Sequence, residues 1–337
     1  MPPKTHDANG QFHNPWQVVS DRGRWRGFLK WMLIDRPRAE RQRPSRRDVF
    51  AAEHPLATPR FPSPRAAENE LVITWVGHSA FLIQIGGCNL LTDPVWGQRA
   101  SPIPWLGPRR WIPPGIDFAA LPPIDGVLIS HDHYDHLDLP TVRRLITRWP
   151  DLRWWCPTGV GAWLAQRGAR NVAERGWWQS EEWPAEGRTT LTVTCAPAQH
   201  FSGRRFSDRN RTLWCGWVVR AGTRAVYFVG DTGYHPLFGE IGSRLGPFDA
   251  VLMPIGAYDP QWFMRPVHVT PEDAVEAYGQ LSDGARPPLM VGMHWGTFKL
   301  TSEPMDEPPE RARSAWAAAG HSEDKIWVPR HGETRQV

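Results

Sequence analysis

The amino-acid sequence predicts an α/β protein in which sheets are layered against helices. Three observations predict it. Short apolar runs recur from Leu71 to Val328, each closed by Gly, Pro, Asn, Asp or His, as strands are. The first runs are joined by turns of two or three residues, like hairpins, whereas later ones are separated by segments with helical periodicity. The 34 Pro and 30 Gly are spread between the runs, which suits many short elements joined by turns.

Residues 1–15 read as loop. In the stretch Trp16–Ile34, Trp25, Phe28, Leu29 and Met32 fall at i, i+3, i+4 and i+7, with Arg22, Arg26 and Lys30 available for another face. A helix packed on the main domain is expected, with a basic, aromatic membrane-surface anchor as the alternative. Residues 35–68 are Arg- and Pro-rich and without period, and read as an extended arm. The chain therefore divides into an N-terminal helix-and-arm segment, 1–68, and the domain proper, 69–337.

Within the domain, Leu71–Val76 and Phe81–Ile85 read as strands about the turn Gly77-His78-Ser79, and Gly86-Gly87 leads into a third, Asn89–Asp93. His78 and Asp93 sit at strand ends and are read as partners that orient a ligand rather than as ligands. Residues 94–124 form a long loop rich in Pro, Trp and Arg, a length that favours a functional segment. Strands follow at Val127–Ser130 and Trp154–Cys156, with helices at Leu139–Arg148 and Val160–Gln166. Further strands are expected at Thr189–Cys195, Leu213–Val219, Ala225–Val229, Ala250–Ile255, Leu289–Met293 and Ile326–Val328. A helix starts behind Thr270, where Pro271 and Glu272-Asp273 complete a well-formed start signal, and another spans about Glu307–Ala319.

The stretch Ser130-His131-Asp132-His133-Tyr134-Asp135-His136 offers several metal donors within a few positions. Imidazole and carboxylate are costly to bury unless paired or metal-bound. Donors of this type without thiolate suit zinc or another first-row metal at a catalytic site. So tight a run cannot close around a single ion, so His131 and His133 are given to one metal and Asp135 and His136 to a neighbour. His200, Asp231 and His294 each follow an apolar run, where strand ends from distant positions converge. With them the chain supplies seven candidate donors for a two-metal site with a bridging carboxylate: His131, His133, Asp135, His136, His200, Asp231 and His294.

Net charge is +4, but residues 1–60 carry twelve Lys and Arg against six Asp and Glu, so the body has no basic excess and no nucleic-acid partner is expected. Cys88, Cys156, Cys195 and Cys215 lack CxxC spacing and lie in or beside apolar runs, as buried free thiols of a reducing compartment do. The first residues lack the apolar region of a secretory signal, and no run approaches the length that spans a bilayer. A cytoplasmic protein, peripheral on a membrane at most, is expected.

The HxHxDH run, the later His200, Gly230-Asp-Thr-Gly233 and His294 after a strand resemble the metallo-β-lactamase superfamily. Longer stretches narrow the resemblance: Thr92-Asp-Pro-Val-Trp96 with Arg99-Ala-Ser-Pro102, Leu121 to Asp138, Gly230 to Tyr234, Pro254-Ile-Gly-Ala-Tyr258, His268 to Ala274 and His294-Trp-Gly-Thr-Phe298. With Asn14-Pro-Trp16 and His331-Gly-Glu333 at the ends, they resemble the N-acylphosphatidylethanolamine-hydrolysing phospholipase D family over about residues 14–333. The resemblance implies an αββα sandwich: two facing mixed sheets, helices outside, metals at one edge, in a catalytic domain 69–337. It implies one zinc on His131, His133 and His200, a second on Asp135, His136 and His294, and Asp231 between them, other divalent metals being admissible. His268 matches a family His near the substrate.

The expected activity is phosphodiester hydrolysis of a phospholipid, N-acylphosphatidylethanolamine or a relative, to phosphatidic acid and N-acylethanolamine, with hydroxide supplied between the two ions. Asp135 or Asp231 is the candidate proton carrier to the leaving alcohol. Trp96, Trp105, Trp111, Trp262, Phe263 and Met264 are candidates for an acyl-chain wall. The rival reading is a superfamily lactonase or small phosphoester hydrolase with a soluble substrate.

Overall fold

The computed structural model describes residues 6–7, 9–16, 27, 30–35, 46–205, 207–282, 284 and 286–337. The strands run in chain order: β1 (Leu71–Gly77), β2 (Ala80–Ile85), β3 (Cys88–Thr92), β4 (Gly126–Leu128), β5 (Arg153–Pro157), β6 (Asn171–Arg175), β7 (Ser180–Trp183), β8 (Leu191–Ala196), β9 (Gly216–Ala221), β10 (Arg224–Phe228), β11 (Ala250–Pro254), β12 (Leu289–Met293), β13 (Ile326–Trp327) and β14 (Thr334–Gln336). Among the described residues the α-helices are α1 (Arg47–Glu53), α2 (Leu139–Arg148), α3 (Gly161–Ala165), α4 (Phe238–Leu245), α5 (Gln261–Met264), α6 (Pro271–Leu281) and α7 (Glu307–Ala318).

Two seven-stranded sheets result, ordered β14-β1-β2-β3-β4-β5-β6 and β13-β12-β11-β10-β9-β8-β7. Both are mixed: β1 to β3 pair antiparallel and β3 to β6 parallel, while β7 to β10 pair antiparallel and β10 to β13 parallel. Alternation along the first sheet decides which side chains meet which layer. Leu90, Leu128 and Trp155 face the second sheet, joining Val193, Cys195, Trp217 and Val219 in one core. Their neighbours Leu91, Val127 and Trp154 face outward, where Val142 and Leu145 of α2 and Leu164 of α3 cover them. Phe238 and Ile241 of α4, Tyr278 and Leu281 of α6 and Trp316 of α7 cover the other outer face. The predicted αββα sandwich is the observed one.

The expected helix starts hold. Asp138 caps α2 through Thr141, and Thr270 forms a capping box with Asp273 at the start of α6. The four cysteines are buried and free. The arm departs from expectation: instead of running extended through 35–68, it folds into α1, whose Phe50 is buried in the core. Arg65 pins the following stretch to Asp125, which also accepts from Arg188 and from the Asn89 backbone. Most of the predicted helix Trp16–Ile34 lies outside the described residues. Where it is described, Trp31–Asp35 forms a π-helical turn, Trp31 is buried and donates to Ser302 Oγ, and Leu33 and Ile34 are exposed. The predicted strand Leu213–Val219 pairs only from Gly216, because Leu213 and Cys215 are bonded instead to Thr158 and Ser130. Trp96 is buried among outer-layer residues and donates to Ile116 O, so it belongs to the core and not to an exposed wall. Trp105 and Trp262 are exposed.

No helix among the described residues is long and apolar enough to cross a membrane. Replacing Thr270 with Ala removes the side-chain half of the α6 cap and is expected to cost about 1 kcal/mol. Urea denaturation should show an earlier midpoint with an unchanged slope.

Candidate metal centre

Both sheets deliver polar side chains to one edge. The β1–β2 turn carries His78, β3 ends at Asp93, and β4 runs into Ser130 and the 131–136 loop. From the second sheet, His200 follows β8, Asp231 follows β10 and His294 follows β12. All seven predicted donors meet there. Three imidazoles, His131, His133 and His200, form one group with donor atoms within 4.8 Å of one another. Asp135, His136 and His294 form a second, which His78 joins. Asp231 Oδ2 reaches both: it lies 3.1 Å from His136 Nε2 and from His294 Nε2, and 4.0 and 3.9 Å from Nε2 of His131 and His200.

The protons on the outer ring nitrogens decide what the inner ones can bind. His200 Nδ1 donates to Val267 O (2.8 Å), so Nε2 of the neutral ring carries a lone pair. Ser130 Oγ gives its proton to Asp93 Oδ2 (2.5 Å) and accepts from His131 Nδ1 (2.8 Å), which leaves a lone pair on His131 Nε2. Both lone pairs point at His133 Nδ1, at 2.8 and 3.2 Å. One N–H at most can serve two acceptors, so the three nitrogens converge as a donor set suited to a cation. Burial keeps all three rings neutral: His131 falls well below its ordinary pKa, His133 to about 3 and His200 to about 4.

The second group contains carboxylate: Asp135 belongs to it and Asp231 lies against it. His136 Nδ1 donates to Asp93 Oδ2 (2.6 Å), turning Nε2 toward Asp231, Asp135 and His294 Nε2 (3.3 Å). Burial pulls His136 and His294 down, yet the carboxylates outweigh it, holding His136 well above its ordinary pKa and lifting His294 to about 9. Asp231 Oδ1 is buried and without a hydrogen-bond partner. Nitrogen and oxygen donors around two carboxylates, one oxygen of which is buried and has no hydrogen-bond partner, fit divalent cations such as zinc.

His78 and Asp93, read as orienting partners, occupy such places. His78 Nε2 donates to Asp135 Oδ2 (3.0 Å), and its backbone carbonyl accepts from Trp75 Nε1 and from the N–H of His294. His268, the predicted substrate-side histidine, is buried with Nδ1 3.9 Å from Asp231 Oδ2. Sequence reasoning missed several supports. Thr297 Oγ1 accepts from the His78 N–H and bonds His331 Nε2, which gives His331-Gly-Glu333 a place beside the centre. Arg204 Nη1 donates to the carbonyls of Asp132 and Leu137, bracing the loop from behind, while Asp132 accepts from Gly203 N and so is not among the donors. Thr297 and His331 stand inside stretches that carry the resemblance, but the sequence does not show what they hold, and Arg204 in a loop has no periodic signature.

A model of the beta-lactamase superfamily domain matches residues 88–295. The chain is 36% identical over 331 residues, 95% of its length and 90% of the other, to N-acyl-phosphatidylethanolamine-hydrolyzing phospholipase D 1 of Caenorhabditis elegans. It belongs to this phospholipase D family of the metallo-β-lactamase superfamily. An uncharacterised protein of Mycobacterium tuberculosis is 44% identical over 292 residues, 86% of this chain and 73% of that one. The metallo hydrolase Igni18 of Ignicoccus hospitalis shares the fold, with a TM-score of 0.59 at 22% identity over 80% of this chain and 99% of its own. As a metallo-β-lactamase-fold protein with these donor groups, the chain is a metal-dependent hydrolase.

Asp93→Ala leaves the Ser130 N–H, the Ser130 hydroxyl and the His136 ring without their buried acceptor. At about 1–3 kcal/mol for each stranded group, the loss in unfolding free energy should be among the largest for any single site. A denaturant midpoint within error of wild type would contradict the placement.

Proposed function

We propose that the protein is a zinc-dependent phosphodiesterase of phospholipase D type. Its substrate is N-acylphosphatidylethanolamine or a related phospholipid, cut to phosphatidic acid and N-acylethanolamine. The observation that carries the reading is the pair of donor groups sharing Asp231, in a chain similar over nearly its whole length to the C. elegans enzyme. His131, His133 and His200 would hold one ion, and Asp135, His136 and His294 the other, with Asp231 common to both. When bound, the pair supplies Lewis acidity, polarising a phosphoryl oxygen and making water acidic enough to attack near neutral pH.

The chain's own groups do the rest. His78 and Asp93 hold donors by single hydrogen bonds, so ligand geometry is set before substrate arrives. Asp231 and Asp135 are kept ionised by the histidines around them, against the pull of burial, and one or the other is the candidate to pass a proton to the leaving alcohol. His268 faces the same space and stays neutral through burial, available as a hydrogen-bond partner for the phosphodiester. Leu33, Ile34 and Trp262 are exposed, and Trp31 stacks near Phe263 at 6.2 Å, so apolar surface from the arm and from α5 is available to a lipid surface.

The test is a product assay on mixed vesicles containing N-acylphosphatidylethanolamine, run in water enriched in oxygen-18. Attack at phosphorus breaks the bond to the N-acylethanolamine oxygen and puts label into phosphatidic acid alone. His133→Ala and Asp231→Ala should each lower the rate by at least about a hundredfold, since removing mere supports of a metal ligand already costs ten to a hundredfold. Phosphatidic acid released by both variants at the wild-type rate would reject the mechanism. Turnover of soluble esters with no lipid product would favour a lactonase or small phosphoester hydrolase instead.

A further inference from the structure

Asn14-Pro15-Trp16 has no part in the chemistry above, yet it lies against the segment that presents His200, 186 residues away in sequence. Two indoles decide how it sits there. Trp214 Nε1 donates to Asn14 Oδ1 (3.1 Å) and to Ala198 O (3.0 Å). That fixes the orientation of the Asn14 amide, whose Nδ2 then donates to the carbonyl of His200 (3.0 Å). The same logic repeats beside it. Trp16 Nε1 donates to Gln199 Oε1 (2.6 Å), so Gln199 Nε2 must face the other way, toward Pro266 O (2.9 Å).

Gln199 is where the segments of the first donor group meet. Its N–H donates to Thr232 Oγ1 (2.9 Å), next to Asp231, and its carbonyl accepts from Gly233 (2.7 Å). Its side chain holds Pro266, and the carbonyl of Val267, one residue on, is the acceptor that fixes the His200 ring. Without the Trp16 donor, Gln199 Oε1 loses its partner and the side chain is held at one end only, by its bond to Pro266 O. Trp16 itself is held by stacking on Trp177, with centroids 5.4 Å apart and planes 22° apart.

We propose that Asn14 and Trp16 are positioning residues for the His131, His133 and His200 group. They fix the backbone and the ring plane of His200, and so the direction of its Nε2 lone pair. The Asp135, His136 and His294 group is braced from the opposite side, through Thr297 and His78, and does not depend on them. This assignment rests on the two-ion reading given above.

The experiment uses full-length protein loaded with Zn²⁺ and equilibrated with graded chelator, with metal per chain measured by elemental analysis. The visible spectrum of the Co²⁺-loaded protein provides a second readout. Trp16→Phe keeps the stack and removes the donor; Asn14→Ala removes the amide. Phe12→Ala strips apolar anchorage from the same segment without touching a bond to the centre, and serves as the stability control. In each strap variant one ion should leave at chelator concentrations about tenfold lower, with an altered Co²⁺ spectrum, while the other ion holds its midpoint. Phe12→Ala should lower the melting temperature and move neither midpoint. Wild-type midpoints for both ions in Trp16→Phe and Asn14→Ala would overturn the assignment, as would loss of both ions in step. A wild-type chain that binds a single ion would instead overturn the two-ion reading itself.

Discussion

The rest of the structure depends on one electrostatic constraint: imidazole lone pairs and carboxylate oxygens are crowded into a buried edge with too few protons to go round. Neither water nor a hydrophobic wall can relieve it, since a buried carboxylate without compensation costs several kcal/mol. Positive charge has to enter, as protons on His136 and His294 or as divalent cations. The fold supports the second outcome, because it assigns the outer nitrogens of His131, His136 and His200 to fixed acceptors and leaves their inner nitrogens turned to a common space. Protons alone would satisfy the second donor group but not the first, where burial keeps all three rings neutral.

Holding that arrangement gives a role to three of the 20 Trp, an odd feature of composition. A buried indole is a large apolar body with one N–H that needs an acceptor. Loops that carry donors have the converse need, since their backbone carbonyls leave the sheet ladders and lose their partners. The two needs are matched here. Trp217 donates to Ile129 O just before the His-rich loop, Trp75 to His78 O, and Trp214 to Ala198 O just before His200. Each indole is rooted in the core and ties one site segment to it. Phe in place of Trp217 or Trp214 would fill the core and remove the indole donor to Ile129 O or Ala198 O, whereas His78 O would keep the His294 N–H.

Elements whose cause is local were legible in the sequence. The core strands β1 to β3 and β10 to β12 and the start of α6 follow from apolar runs and what bounds them, and the donors from the His- and Asp-rich 131–136 run and from the ends of three later runs. What escaped prediction has long-range causes. β6 and β7 have mostly exposed or half-buried faces, and β14 is a three-residue edge strand that exists because β1 offers it a partner. Helix α1 has no stripe of its own and is anchored by one residue, Phe50. Leu213–Cys215 looks like a strand but turns away to bond Ser130, a contact 85 residues distant. The supports Thr297, Gln199 and Arg204 act through backbone atoms of segments far away in the chain, and a single sequence does not show which backbone atoms lack partners.

Backbone strain shows how tightly those supports hold. Non-glycine residues with positive φ are uncommon, and three of the few described here lie at the centre: His78 at 59°, Asp93 at 31° and His294 at 63°. Each such residue costs about 1–3 kcal/mol and persists only where its surroundings over-determine it. His78 has its N–H bonded by Thr297 and its carbonyl by Trp75 and His294, and Asp93 is held through Ser130 and His136. The geometry gives the strain a reason. A strand leaving a sheet edge carries its next side chain up or down along the pleat, and a left-handed residue swings it back over the edge. His78, Asp93 and His294 all make that swing, and all three end in the same donor group or against it. The surrounding bonds therefore store a fixed aim at the point where cations would bind, so little reorganisation remains when substrate arrives.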